Sequence, residues 1–282
     1  MSKRKLGTGF RRIVQEERID LSKWSPDPDD GDLKEAARAE TEKLAPRVED
    51  LFDKLNFAGE NGLLIVLQGM DAAGKDGAIR HILRHCHAQS ARVASFKVPT
   101  PTEAAHDFLW RVHPQAPARG EIVLFNRSHY EDVVVTRVHS LISKDEAERR
   151  FRRIREFEKL LYQGGTMILK LFLHISKDEQ KTRLEEREQD PNAAWKLSSG
   201  DWREREHWDA YNHFYEEAIG ATGTPHAPWI VIPANRKWNR DLILTRLLLE
   251  TLEERAKSWD HALAEIGRVK RLELAEYRKT PG

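Results

Sequence analysis

The segment Gly69-Met70-Asp71-Ala72-Ala73-Gly74-Lys75 follows directly on an uninterrupted apolar run, Leu63-Leu64-Ile65-Val66-Leu67. A glycine, four residues, a second glycine and a lysine, set between a buried strand and a helix, make a loop that wraps phosphate. Small residues let successive backbone N–H groups turn inward, the next helix presents its positive dipole end, and Lys75 adds a full charge. Gly69, Ala72, Ala73, Gly74, Lys75, Asp76 and Gly77 are the candidate phosphate-binding residues. An ordinary strand-to-helix turn also fits the bare spacing, and the flanking apolar run weighs against it.

Further apolar runs follow at Val93 to Phe96, Ile122 to Phe125, Met167 to Ile175 (interrupted by Lys170 and His174) and Trp229 to Ile232. Short all-apolar runs suit strands buried on both faces, and the stretches between them are long enough for helices. The expected fold class is therefore α/β, a doubly wound parallel sheet. Helical spacing predicts an amphipathic helix over 33–55 and C-terminal helices over 242–252 and onward through Tyr277. Ser143 with Glu146, and Ser176 with Glu179, fit the capping box and predict helix starts. One domain over 1–282 is expected, with residues 1–32 as an N-terminal arm ending in the turn-rich Ser25-Pro26-Asp27-Pro28. The stretch 181–208 is dense in Arg, Glu and Trp, and Asp190-Pro191-Asn192 should bend it into two short helices.

Charge decides which partners are excluded. Lys+Arg 47 nearly cancels Asp+Glu 46, and a net charge of +1 gives no whole-molecule attraction to nucleic acid or a membrane surface. A polyanion must then be held by a local basic site. The single cysteine, Cys86, can form no internal disulfide, and no apolar stretch reaches the ~18 residues of a membrane span, so a cytoplasmic location is expected. His81 and His85 stand i, i+4, but no second ligand pair lies near them, and a metal reading is set aside. Ser128-His129 lacks a glycine elbow, which argues against a hydrolase.

The loop departs from the usual pattern in one respect: Asp76 stands where Ser or Thr would help to hold magnesium. Asp71 inside the loop points the same way, because a carboxylate beside phosphates is repulsive unless a metal bridges them. A hydrogen bond from Asp71 to the loop backbone is the plainer alternative. At the end of the 122–125 run lies Phe125-Asn126-Arg127-Ser128-His129-Tyr130-Glu131-Asp132-Val133, and in open α/β sheets ligands bind at the carboxyl ends of the strands.

Together, Gly-Met-Asp-Ala-Ala-Gly-Lys-Asp-Gly at 69–77, Phe-Lys-Val-Pro-Thr at 96–100 and Asn-Arg-Ser-His-Tyr-Glu-Asp at 126–132 resemble the family-2 polyphosphate kinases. The likeness runs from about Leu33 to Leu252. It implies a thymidylate-kinase-like P-loop fold and magnesium-dependent transfer of phosphate between inorganic polyphosphate and nucleoside mono- or diphosphates. By position, Asp71 resembles the family's acidic loop residue, Lys75 its loop lysine and Arg127 the arginine of the second motif. Some members have Asp where this chain has Asn126, so Asp132 becomes the candidate to support magnesium alongside Asp71. The Tyr-Glu-Asp form resembles the subgroup that accepts AMP as well as ADP, which makes Glu131 relevant to acceptor choice. Lys97 and Asn126 are further acceptor-side candidates. The resemblance makes 181–208 a mobile lid, whose Arg183 and Arg187 lie on one helix face and could close on a phosphate. Without it, a solvated helix would be the better reading. AMP, ADP and ATP are the expected nucleotides, guanine nucleotides are further candidates, and a homo-oligomer is expected.

Polyphosphate also requires a basic path, for which Arg80, Arg84 and Lys237 are candidates, with Lys97, Arg111 and Arg240 in reserve. An ATP-dependent nucleoside monophosphate or thymidylate-type kinase is the alternative enzyme, and a non-catalytic polyphosphate- or RNA-binding module the alternative class. In phosphoryl transfer the protein mainly aligns donor and acceptor and stabilises charge. Lys75→Ala and Asp71→Ala should therefore keep their circular dichroism spectrum and lose on the order of 10²–10³ in turnover on polyphosphate; near-full activity in either would refute the assignment.

Overall fold

A computed structural model describes residues 9–15, 17–28, 33–191 and 198–279. Its six-stranded sheet has the order β1-β6-β5-β2-β4-β3, formed by β1 (Arg11–Ile13), β2 (Gly62–Gln68), β3 (Ala91–Ser95), β4 (Ile122–Asn126), β5 (Thr166–His174) and β6 (Trp229–Pro233). β2 to β6 pair in parallel, as the all-apolar runs predict, and every residue of β2, β5 and β6 is buried. β1 is the difference from expectation: Arg11–Ile13 pairs antiparallel with β6, so the sheet is mixed. A segment read as an arm thus supplies an edge strand. Its pattern was too short to announce one, with only Ile13 buried.

β2 lies between β4 and β5, and the chain runs to β3 and β4 on one side before crossing to β5 and β6 on the other. The loop after β2 therefore opens at the point where the winding reverses, a natural crevice. Helices α1 (Lys34–Ala58), α2 (Lys75–Leu83), α9 (Lys237–Glu253) and α10 (Ala256–Tyr277) form one layer, in which α9 packs on both α1 and α2. The other layer is built from α4 (Val135–Val138), α5 (Lys144–Gln163) and α8 (Trp208–Thr222), with α5 against β5. The short α3 (Pro101–Ala104) follows β3, while α6 (Lys177–Gln189) and α7 (Ser199–Glu206) lie between β5 and α8. Asn192, the last residue of the expected bend, lies outside the described residues.

Both predicted serine caps form, Ser143 Oγ accepting from Glu146 N at 3.2 Å and Ser176 Oγ from Glu179 N at 3.1 Å. The glutamates, however, turn to arginines: Glu146 pairs with Arg149 and Arg150, and Glu179 with Arg183. A complete capping box occurs at Thr100 and Glu103, opening α3. His81 is held by Thr245 Oγ1 at 2.9 Å, and burial pulls its pKa down to about 4.

The charge that interrupts β5 has a structural explanation. Lys170 is fully buried and gives its three protons to Glu158 Oε2 at 2.7 Å, Tyr130 Oη at 3.0 Å and Thr222 O at 2.8 Å. Tyr130 Oη in turn donates to Glu158 Oε1 at 2.8 Å, and the Tyr130 ring stands edge-on to Trp229, with centroids 4.7 Å apart. This network ties β5, α5 and α8 to the segment after β4. A buried pair adds little net stability, but removing one partner strands a charge. Glu158→Leu alone should lose about 3–5 kcal/mol in chemical denaturation, and adding Lys170→Met should restore most of it.

Candidate active site

The backbone of the 69–75 loop is held through its carbonyls by its own Lys75 and by side chains from α6 and α9. Lys75 Nζ donates to Gly69 O at 2.8 Å and Met70 O at 3.0 Å, and Gln180 Nε2 donates to Asp71 O at 2.9 Å. Arg183 Nη1 reaches Ala72 O at 3.0 Å and Ala73 O at 2.9 Å, and Arg240 Nη1 reaches Gly74 O at 3.0 Å. Every carbonyl from Gly69 to Gly74 thus accepts from a side chain. Two glycines make the path possible. Gly69 has φ 146°, and a Cβ there would lie 2.8 Å from Leu173 O; Gly74 has φ 101°, and a Cβ would meet Arg240 Nη1 at 2.7 Å.

This geometry corrects the expected role of Arg183. Its Nε bonds Glu179 at 2.8 Å and its Nη2 bonds Ala234 O at 2.7 Å and Asn235 O at 2.9 Å, so all of its donors are engaged and the residue is only 8% exposed. It clamps the loop and has no proton left for a phosphate. Arg187, one turn later, lies on the same cleft and pairs with Asp201 at 2.7 Å, which among the described residues leaves donors free. Arg240 is likewise buried, with Asp241 at 2.6 Å as its counter-ion.

Above the loop is an open cleft of about 700 Å³ lined by Asp71, Lys75, Asp76, Asn126, Arg127 and Arg187, with Arg80, Arg84 and Lys237 along its wall. Arg127 adopts φ 60°, a left-handed conformation that costs a non-glycine residue on the order of 1 kcal/mol. Its guanidinium then bridges two carboxylates, with Nη2 to Asp71 at 2.7 Å and Nη1 to Glu131 at 3.3 Å. Burial works against the charge on Arg127, but Glu131 and Asp71 raise its pKa, so it stays cationic. Glu131 also accepts from Gln68 Nε2 at 3.0 Å, and burial pushes its pKa above the usual carboxylate range. Burial draws the Lys75 ammonium below its ordinary value, with Asp71 opposing the shift. A narrower cavity beside the cleft is lined by Asp71, Arg127, Glu131, Gln180, Tyr211 and Tyr215.

Other expected residues lie elsewhere or act differently. Asn126 donates to Asp76 at 3.1 Å, so the amide relieves an anion next to Asp71 instead of adding another. The structure does not bring Asp132 to Asp71: Asp132 is buried against Arg111 Nη2 at 3.1 Å and lines neither cavity, and burial raises its pKa. Arg111 is correspondingly lost to any polyphosphate path, since its other nitrogen holds Lys97 O at 2.7 Å. The Lys97 side chain is exposed and lines neither cavity. Gln68, Gln180, Tyr211 and Tyr215 were missed, because a buried Gln or Tyr on a strand or helix carries no local signature. A separate cavity of about 960 Å³ is formed by residues from 17–23, Arg137 of α4, α5 and α8 and includes none of the loop.

Among the described residues no group of three or more His, Cys, Asp or Glu is placed to hold a metal. Magnesium needs less, since it commonly keeps its waters and takes one or two carboxylates plus substrate phosphates. Asp71, half-buried on the cleft with oxygen donors next to the loop, fits that requirement; Asp132, in its own buried pair, does not.

Known proteins similar to this chain are phosphotransferases and kinases of polyphosphate by name. The chain is 48% identical over 245 residues to an AMP/ADP-polyphosphate phosphotransferase of Meiothermus ruber, spanning 86% of this chain and 91% of that one. It is 38% identical to an ADP-polyphosphate phosphotransferase of Rhodopseudomonas palustris, over 98% of each chain. The crystal structure of polyphosphate kinase 2 from Arthrobacter aurescens superposes with a TM-score of 0.82 at 38% identity, covering 86% of this chain and 93% of that chain. A profile of the family described as Polyphosphate kinase 2 matches residues 32–260, and the chain belongs to that family.

Proposed function

We propose that this protein is a magnesium-dependent phosphotransferase that moves a phosphoryl group reversibly between inorganic polyphosphate and AMP or ADP. The observation that carries the reading is the meeting of Lys75, Arg127 and Asp71 in one cleft at the carboxyl end of β2. The reading is supported by the Meiothermus ruber relative, whose name specifies both AMP and ADP.

Bound magnesium would neutralise phosphate charge and orient donor against acceptor, with Asp71 as its protein ligand. The protein's own work is electrostatic and geometric. Loop amides and Lys75 hold phosphates, and Arg127 faces the transferring group, released from Asp71 once cation and phosphates compete for both partners. Arg187, rather than Arg183, is the α6 arginine with donors to spare. In this reading 181–208, of which 192–197 lie outside the described residues, acts as a lid anchored at its start by the Arg183 clamp, and the P-loop kinase fold expected from the sequence is the frame. Glu131, held by Gln68 beside Tyr211 and Tyr215, stands where an acceptor would be selected. A homo-oligomer belongs to the same proposal, supported by Ile266, Val269, Leu272 and Leu274 exposed along α10.

With magnesium and polyphosphate, the purified protein should convert AMP and ADP, with GMP and GDP as comparison acceptors and ATP a poor donor; chromatography of each mixture checks this. Arg127→Ala should remain folded and lose on the order of 10²–10³ in turnover. Arg111→Ala should instead lose about 3–5 kcal/mol of stability through stranded Asp132. Efficient transfer from ATP, with none from polyphosphate, would overturn the donor assignment.

A further inference from the structure

Asp71 is fixed from two sides. Its carboxylate accepts from Arg127 Nη2 at 2.7 Å, and its carbonyl accepts from Gln180 Nε2 at 2.9 Å, the one partner of that carbonyl among the described residues. The second bond bears on the residue that follows. Ala72 has φ 60°, a left-handed conformation that is unfavourable for any residue with a Cβ. The Asp71–Ala72 peptide is trans, so its N–H points opposite to its carbonyl. With Asp71 O turned to Gln180, the Ala72 N–H is aimed the other way, and among the described residues it has no hydrogen-bond partner. Ala72 lines the cleft above the loop. An unpartnered amide on a strained residue of an anion-binding loop is a donor held ready for an acceptor.

Gln180 has no freedom to turn round. It is only 2% exposed, and both ends of its amide are engaged. Nε2 faces a carbonyl, which can only accept, while Oε1 accepts from Arg205 Nη1 at 2.9 Å, which can only donate. Half a turn of the amide would set oxygen against oxygen at Asp71 and donor against donor at Arg205. Arg205 belongs to α7, also donates to Lys177 O at 2.7 Å, and lines neither the cleft nor the narrower cavity beside it. α7 itself has no buried residue. Its hold on α6 is polar at both ends: Asp201 pairs with Arg187 and Trp202 Nε1 donates to Glu188 at 2.6 Å, while Arg205 reaches Lys177 and Gln180.

We propose that Gln180 is a positioning residue for phosphate binding: oriented by Arg205 of α7, it sets the Asp71–Ala72 peptide so that the Ala72 N–H meets a phosphate oxygen. This rests on the phosphate-binding part of the reading above. α7 thereby tunes the loop without touching it. Loss of Arg205 frees the Gln180 amide to rotate, and the strain at Ala72 then favours turning the peptide over, which withdraws the N–H from the cleft.

The test is the calorimetric affinity for tripolyphosphate in the presence of magnesium, measured on the parent protein, Gln180→Met, Arg205→Ala, Arg205→Lys and the Gln180→Met/Arg205→Ala pair. Gln180→Met keeps the volume and removes the donor, and should weaken binding roughly ten- to hundredfold, as for the loss of one hydrogen bond to a charged group. Arg205→Ala should weaken it roughly three- to tenfold with the parent's denaturation midpoint, and Arg205→Lys, which still offers a donor, should recover most of that loss. Because both residues act through one bond, the pair should bind no more weakly than Gln180→Met alone. Unchanged affinity in Gln180→Met, additive losses in the pair, or no recovery in Arg205→Lys would overturn the inference. Efficient transfer from ATP alone would overturn the donor assignment and leave the inference standing, since any phosphate at the loop meets the same amide. A parent protein that binds no tripolyphosphate and transfers from no donor would overturn both.

Discussion

The site depends on how the 69–75 loop is gripped. A loop that must turn its amides toward an anion has to send its carbonyls the other way, and buried carbonyls need partners. Here Lys75, Gln180, Arg183 and Arg240 supply them for each residue from Gly69 to Gly74. Three helices, α2, α6 and α9, thereby contribute donors to one short segment. The loop is set before any substrate arrives, and little of the binding energy has to be spent on ordering it.

A second device orders the opposite wall. Lys170, Glu158 and Tyr130 form a buried polar strut below the turn that carries Glu131 and Arg127. Hydrophobic side chains of equal volume would pack there at least as well. What the polar version adds is direction, since each bond has one partner and one angle. Arg127 can then hold its left-handed backbone and span Asp71 and Glu131.

Much of this was legible in the sequence, and the reasons differ residue by residue. β2, β4, β5 and β6 could be read because they are buried almost throughout, which leaves apolar runs; β3 at the far edge, with only Ala94 buried, showed itself through the short stretch from Val93 to Phe96, and β1, with only Ile13 buried, gave no such stretch. The loop and the second motif could be singled out by their spacing, and the structure brings Asp71, Lys75, Asn126 and Arg127 from them to one cleft. Asp132 was misplaced because motif adjacency does not reveal which way a side chain turns: Glu131 faces the narrower cavity beside the cleft and its neighbour faces Arg111. Arg183 and Arg187 look alike at i, i+4, and only the loop carbonyls within reach of the first distinguish the clamp from an arginine that pairs with Asp201 at the cleft. Gln68 and Gln180 bear no charge and fit no motif, so nothing local could have singled them out.

The edge strand has a consequence for how the molecule behaves in a crowded solution. A parallel sheet that stopped at β6 would present a row of unsatisfied amides and carbonyls to any extended chain passing by. Arg11–Ile13 covers that row on β6, and because it is only three residues long and led by two arginines, it offers a poor template in its turn. At the far rim Arg92 folds over β3 to reach Gln115 and Ala116. Both margins are thus guarded by guanidinium groups, which discourages the sheet from growing into its neighbours.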